Sequence, residues 1–503
     1  MRCIRGTDPV TCLPKSPEFD MVFSSPLFLF LFLPVVLAVY FLLPGLRARN
    51  GWLLLVSLLF YAWGEVGFIL LLLVSTLANF ELGKWVERSE EISRRKIAVA
   101  VAVVVNVGFL AFFKYAGLVV ASLDVPLKLF GLGVLPVPHL ALPIGISFFT
   151  FHALSYVVDI YRRKWRAARD PRDTALYIFF FPQLVAGPIL RWNAIAPQLQ
   201  QRVFDRATFA EGIRRFVGGL AKKMIVANAV AEPADQIFSL PAAELSAPVA
   251  WLGVVCYTIQ IYFDFSGYSD MAVGLGKMFG FQFLENFQFP YIAQSIRDFW
   301  RRWHISLSTW FRDYVYIPLG GNRVSAARNH LNLIAVFFLC GLWHGASWTF
   351  VAWGLCHGVF LVLERTAWGA TLDKLPRPLR HLYALFIVMM CWVLFRADSF
   401  SAAAHYFSAL FGAGQVVQAQ PVRRYASNEV IWALCLGAAF SLPLWGGIKS
   451  VGENLSRHLP ENFRGAYFGL GQLLEAVLVF AVFLISLAWL AGGTYNPFIY
   501  FRF

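Results

Sequence analysis

Apolar runs separated by short stretches in which Lys and Arg gather dominate the chain, and their spacing predicts a polytopic bundle of membrane-crossing helices. A span needs roughly 20 consecutive apolar residues. Residues 26–45 and 97–122 meet that length, 142–161 carries His152 within it, and 248–265, 381–395, 428–448 and 470–490 read as further spans. Two runs, 51–63 and 68–82, are short, which fits either a locally thinned bilayer or a tight hairpin. The segment 225–240 is a candidate crossing limited by Glu232 and Asp235.

The basic loops at 46–50, 84–96 and 162–173 are separated by two spans each time, so they fall on one side. Positively charged loops face the cytoplasm and anionic lipid heads, which puts the N-terminus outside. Residues 174–190, TALYIFFFPQLVAGPIL, are apolar but broken by Pro182, Gly187 and Pro188. Broken backbone at membrane depth must line a protein cavity, so this piece reads as re-entrant. In FAEGIRRFVGGLAKK (209–223) apolar positions recur at helical spacing with Arg and Lys opposite, the pattern of an interfacial amphipathic helix. The expected fold is therefore all-α, with about 11–13 transmembrane helices plus re-entrant and interfacial helices.

Residues 1–20 contain no apolar core and no cleavage signature, and they read as an upstream extension. Met21 is the natural start, and 21–503 reads as one membrane domain.

Composition agrees: of 503 residues 58% are hydrophobic and only 14% charged, whereas a soluble globule carries about a quarter charged residues. The net charge of +14 lies in short clusters between apolar runs, without a nucleic-acid-binding motif, so membrane lipid and not nucleic acid is the expected partner of that charge. Five of the seven cysteines, Cys256, Cys340, Cys356, Cys391 and Cys435, lie in apolar segments, where a thiol behaves as a small hydrophobe. Cys340 and Cys356 flank His344, which leaves a thiol nucleophile conceivable, but no base adjoins them by spacing.

Residues 286–358 depart from this plain membrane pattern. A basic, aromatic segment with His304 among Arg301, Arg302 and Trp303 leads into an apolar run that holds His344 between Trp343, Gly345 and Ala346, with Ser347 and Trp348 just beyond. An ionisable ring at membrane depth is expensive and marks a functional site. A neutral imidazole in a dry, Trp-lined site can take a proton from a hydroxyl or thiol as that group attacks a carbonyl, then return it to the leaving group. Basic residues at the cytoplasmic mouth could receive the phosphates of a nucleotide-type acyl carrier or the acidic face of a carrier protein. His152 and His357 read as satisfied structural rings, and His304 is open between the two readings. Asp264 and Asp270 read as structural, pinning a polar core, with 297–302 as the expected basic supply. There is no HExxH, paired His/Cys array, Walker loop or GxSxG elbow, so no metal and no bound cofactor are expected.

DFWRRWHISLSTWFRDYVYIPLGGNR (298–323) and GLWHGASWTFVAWG (341–354) resemble the membrane-bound O-acyltransferase family, in its bacterial alginate O-acetyltransferase branch. The likeness extends through MVFSSPLFLFLF (21–32), FFPQLVAGPILR (180–191), YFDFSGYSDMAVG (262–274) and the terminal YNPFIYFRF. The resemblance implies a ring of helices around a tunnel, His344 as the catalytic histidine and His304 as the second active-site histidine. It implies transfer of an acetyl group from a cytoplasmic thioester (acetyl-CoA or an acyl carrier) across the inner membrane. The acceptor is then an exopolysaccharide, reached directly or through periplasmic acetyltransferase subunits. Relatives that transfer D-alanyl groups to teichoic acids share the central pattern and keep that alternative open. A proton-coupled transporter is the alternative of another class, against which the lack of an internal repeat weighs; a scaffold for a polysaccharide export complex is a third.

Overall fold

The computed structural model describes residues 21–131, 135–136, 140–414, 416–458, 460–493 and 495–497. The upstream stretch 1–20 with Cys3 and Cys12, His139, and 498–503 of the aromatic tail lie outside the described residues. Among the described residues there is no strand, and every regular element is helical.

Ala247–Met278 is the central pillar, with 83% of its apolar stretch buried, against 6% for the peripheral Phe463–Ala491 and 22% for Ile92–Leu129. The outer helices instead expose large side chains such as Val104, Phe112, Leu473 and Phe480. Apolar faces of that size mark a surface covered by lipid or by another protein, and on helices of this length and apolarity lipid is the cover expected. Among the described residues five helical stretches are long and apolar enough to cross a membrane, with Gly45–Arg88 counted as one, or six if Trp348–Leu363 and Ala367–Lys374, bent by 78°, form one span. This is fewer than the sequence pattern suggests, because several inner elements, such as Ile146–Tyr161 and Asn428–Phe440, are short.

Two readings are corrected. The two short runs near the N-terminus belong to helices of 21 and 20 residues, Gly45–Glu65 and Ile69–Arg88, joined by the 3₁₀ turn Val66–Phe68. Polar residues extend each helix past its apolar run, so no thinned bilayer is needed. The pillar continues without a break from 247 through Asp264 and Asp270, where the sequence suggested a span ending near 265. The amphipathic helix Arg206–Ala221 packs along the pillar. Glycines on the two helices face each other so closely that a Cβ on Gly212 would lie 2.7 Å from the Gly274 carbonyl oxygen, and one on Gly274 2.6 Å from that of Gly212. Small residues that let backbones touch are the usual device for packing helices in lipid.

Some buried polar groups are matched across helices. Asn79 and Asn106 exchange amide hydrogen bonds of 3.0 and 2.8 Å between neighbouring helices. The 174–190 segment breaks into the short helices Pro171–Phe179 and Phe181–Leu184 and is buried almost throughout, so its irregular backbone lies within protein.

Candidate active site

His344 is the last residue of the helix Ala326–His344, which turns at Gly345 and returns as Trp348–Leu363, capped by the Ser347 hydroxyl. The two arms pack backbone to backbone: a Cβ on Gly354 would stand 2.2 Å from the Phe337 carbonyl oxygen, and one on Gly341 2.4 Å from that of Phe350. The imidazole is held edge-on by Trp343 and Trp353, both 4.9 Å away between ring centres, and by Phe395 at 5.3 Å. Neither ring nitrogen has a hydrogen-bond partner among the described residues. The same holds for His152 and His357, which are 0% exposed as residues against 5% for His344, and the nitrogens of all three are buried; what sets His344 apart is the cavity beside it. His344 lines a cavity of about 130 Å³ together with Lys114, Trp343, Val185 and the 142–148 segment. Buried polar atoms are normally bonded, and an unbonded imidazole facing a cavity is available to an incoming group.

His304 lies 6.5 Å from His344 between ring centres. It is one of few non-glycine residues in the left-handed region, at φ 43°, where an L side chain is strained. The strain places the ring against Asn286, whose Oδ1 is 3.1 Å from His304 Nδ1 and also accepts the backbone N–H (3.1 Å) and hydroxyl (2.9 Å) of Ser306. Because the Ser306 N–H can only donate, the Asn286 oxygen must face this cluster. His304 therefore donates from Nδ1. Asn286 carries no sign of this role in the sequence beyond standing at the start of the histidine-bearing stretch.

Trp343 touches both rings, at 4.9 Å from His344 and 5.9 Å from His304, and stacks on Phe151 at 5.5 Å. Trp303 is buried in an aromatic stack with Phe299 and Trp392, adjoining the site but not its cavity. Ser347 faces a separate cavity of about 450 Å³ with Asp235, Gln260 and Arg396. Trp348 is half exposed and donates to the Ser122 hydroxyl at 3.1 Å. Arg301 is exposed, and Arg302 binds Asp298 at 2.9 Å, so neither lines the His344 cavity.

The carboxylates do not draw on 297–302, as the sequence suggested. Asp264 pairs with Lys223 at 2.6 Å, and Asp270 with Lys222 at 2.6 Å and Arg215 at 2.8 Å. These cations come from the helix packed along the pillar, while Arg297 binds the Glu364 carbonyl. No group of three or more His, Cys, Asp or Glu that could hold a metal occurs among the described residues.

At the other end of Ile146–Tyr161 the three basic loops meet. They surround a cavity of about 1640 Å³ lined by Arg47, Arg163, Lys164, Arg166, Arg169 and Arg172, among others. One helix thus runs from the His344 cavity to the basic cavity, roughly 20 Å at 1.5 Å per residue.

A helical membrane protein with two facing histidines, one opening onto a cavity and one held by an asparagine, has the form of a membrane acyltransferase. The model of the MBOAT, membrane-bound O-acyltransferase family, matches residues 170–401, a range that contains both histidines. The chain is 41% identical over 506 residues to a probable alginate O-acetylase of Azotobacter vinelandii, covering 96% of this chain and 100% of that one. It is 36% identical to a peptidoglycan O-acetyltransferase of Helicobacter pylori, covering 78% and 80%. A teichoic acid D-alanyltransferase of Bacillus subtilis is 31% identical, over 50% and 70%. The chain belongs to the membrane-bound O-acyltransferase family and is a multi-pass O-acyltransferase of the bacterial inner membrane.

Proposed function

We propose that the protein acetylates hydroxyl groups of an alginate-like exopolysaccharide, with a thioester arriving from the cytoplasm as donor. The observation that carries this reading is the His344 imidazole, unbonded at both nitrogens and bordering a cavity. His344 takes the proton of the acceptor hydroxyl as its oxygen attacks the thioester carbonyl. The C–O bond forms, the C–S bond breaks, and the proton passes to the departing thiolate. His304, oriented by Asn286, steadies a reactant or the charge that develops on the carbonyl oxygen. The basic cavity, read as cytoplasmic by the excess of Arg and Lys in its loops, favours a phosphate-bearing donor such as acetyl-CoA or a carrier protein's prosthetic arm. Asp264 and Asp270 hold the pillar to its neighbour and take no part in the chemistry. The acetyl group reaches the polymer directly or through a periplasmic acetyltransferase partner.

A His344→Ala strain with verified protein levels tests the reading. Loss of a general base costs about 10²- to 10⁴-fold in rate, so polysaccharide acetyl content should fall to background. Undiminished acetylation would end the proposal. Purified protein supplied separately with labelled acetyl and D-alanyl thioesters distinguishes the acyl group.

A further inference from the structure

Beyond the Gly345 N–H, which bonds the Gly341 carbonyl at 3.3 Å, the helix Ala326–His344 ends without a cap of its own. Its last carbonyls have no partner within the helix, and Gly345, at φ −167° and ψ 154°, is extended and does not make the left-handed turn that commonly satisfies them. The missing partners come from another helix. Tyr115 donates its hydroxyl to the Leu342 carbonyl at 2.6 Å, and Lys114 donates to the Trp343 carbonyl at 2.5 Å and to the Ser147 hydroxyl at 3.2 Å. The two carbonyls belong to the residues immediately before His344.

Ala111–Tyr115, which carries both donors, is a π-helical turn inside the long helix Ile92–Leu129. Such turns re-aim side chains and concentrate at functional sites. Lys114 is also buried at membrane depth, where a cationic group is costly and needs a compensating role. The negative end of a helix dipole is a favourable place for it. Lys114 lines the same cavity as His344, so the clamp sits beside the reacting position and not on the far side of the hairpin.

We propose that Lys114 and Tyr115 form a cap supplied in trans to the histidine-bearing helix, which makes both positioning residues for acyl transfer by His344. The inference rests on the reading of His344 as the base. Without the clamp the last helical turn loses its carbonyl partners and the imidazole loses its fixed distance to the acceptor, a loss that falls on turnover and leaves donor binding alone.

The test measures acetyl transfer by the purified full-length protein and its Lys114→Ala, Tyr115→Phe and His344→Ala variants. The clamp variants should lose about 10- to 100-fold in kcat, the scale of a small misplacement of a reacting group, with donor KM unchanged. Propylammonium, which replaces the deleted amine and its carbon stem, should restore part of the Lys114→Ala turnover, and tetramethylammonium, which has no N–H, should not. Unchanged kcat in Lys114→Ala and Tyr115→Phe beside an inactive His344→Ala overturns the clamp alone. An active His344→Ala overturns the underlying reading. Should Lys114→Ala fail to fold, Tyr115→Phe decides: full turnover rejects the clamp, and reduced kcat at constant KM upholds it.

Discussion

The Oδ1 of Asn286 stands 3.1 Å from Nδ1 of His304 and at the same time accepts two hydrogen bonds from Ser306. One side-chain oxygen therefore fixes both the tautomer of the second histidine and the start of the helix Ile305–Phe311 that follows it. Asn286→Ala removes the partner of His304 and leaves the buried Ser306 N–H unbonded. An unsatisfied buried donor costs about 1–3 kcal/mol, and in the role proposed for His304 a small misplacement of the ring costs about 100-fold in rate. Thermal melting in detergent and acetyl-transfer turnover should fall together. A melt lowered with turnover intact would show that His304 does not depend on Asn286 for its role.

The seam of the histidine hairpin makes a sharper structural prediction. A methyl group on Gly354 would meet the Phe337 carbonyl oxygen at 2.2 Å, and backbone cannot step aside as a side chain does. Gly354→Ala should destabilise the protein by about 1–3 kcal/mol through overpacking and reduce acetylation by moving His344. Gly218→Ala is the control, since a Cβ there meets nothing within 4 Å. Removing a mid-helix glycine in open space should stabilise by about 0.5–1 kcal/mol. Equal melting temperatures for the two variants would contradict the close approach of the two arms.

Parts of this arrangement are legible in the chain and parts are not, for physical reasons. His344 declares itself because an ionisable ring in an apolar run breaks the local pattern, and His304 because it sits in a dense basic and aromatic cluster. Asn286 and Tyr115 carry no comparable mark: polar and aromatic residues of their kind are common, and only the fold reveals which carbonyl or ring they meet. Lys114 stands out as a charge within a span, yet its target is on a helix more than 200 positions away. The packing of Arg206–Ala221 is hidden in the sequence because its Arg and Lys resemble a solvated face, whereas Arg215 reaches Asp270 on the neighbouring pillar and the glycines allow contact at backbone distance. The sequence likewise suggested 297–302 as the basic supply for Asp264, but its cation, Lys223, precedes it on that same helical arm.

The Asp264–Lys223 pair separates a structural from a catalytic role. Both side chains are nearly fully buried, at 2% and 4% exposure, and lie 2.6 Å apart. Breaking such a pair from one side leaves an uncompensated charge and costs about 3–5 kcal/mol. Lys223→Met should therefore lower the melting temperature severely, and the double variant Lys223→Met with Asp264→Asn should recover much of the loss. If the pair only pins the pillar, turnover per folded molecule stays at the wild-type level in the double variant. A folded but inactive double variant would move Asp264 into the chemistry.

The basic cavity at the opposite end of Ile146–Tyr161 predicts how the donor is captured. Not all of its cations are available for this. Arg172 is paired with Asp170 at 2.5 Å, and that hydrogen bond holds the Asp170 carboxyl below its ordinary value, so the pair persists at neutral pH. Lys164 lies 3.8 Å from Asp159. Arg47, Arg166 and Arg169 are exposed and form no ion pair among the described residues, which leaves them to bind phosphate. Exposed charge contacts contribute about 0.2–1 kcal/mol each. Replacing all three with Gln should therefore raise the donor KM about tenfold, since 1.4 kcal/mol corresponds to that factor. The wild-type KM should rise with salt as the screening length falls below about 10 Å, and the triple variant should lose most of that dependence. kcat should not change, because the His344 cavity lies at the far end of the helix. A triple variant with wild-type KM and wild-type salt sensitivity would show that the donor enters elsewhere.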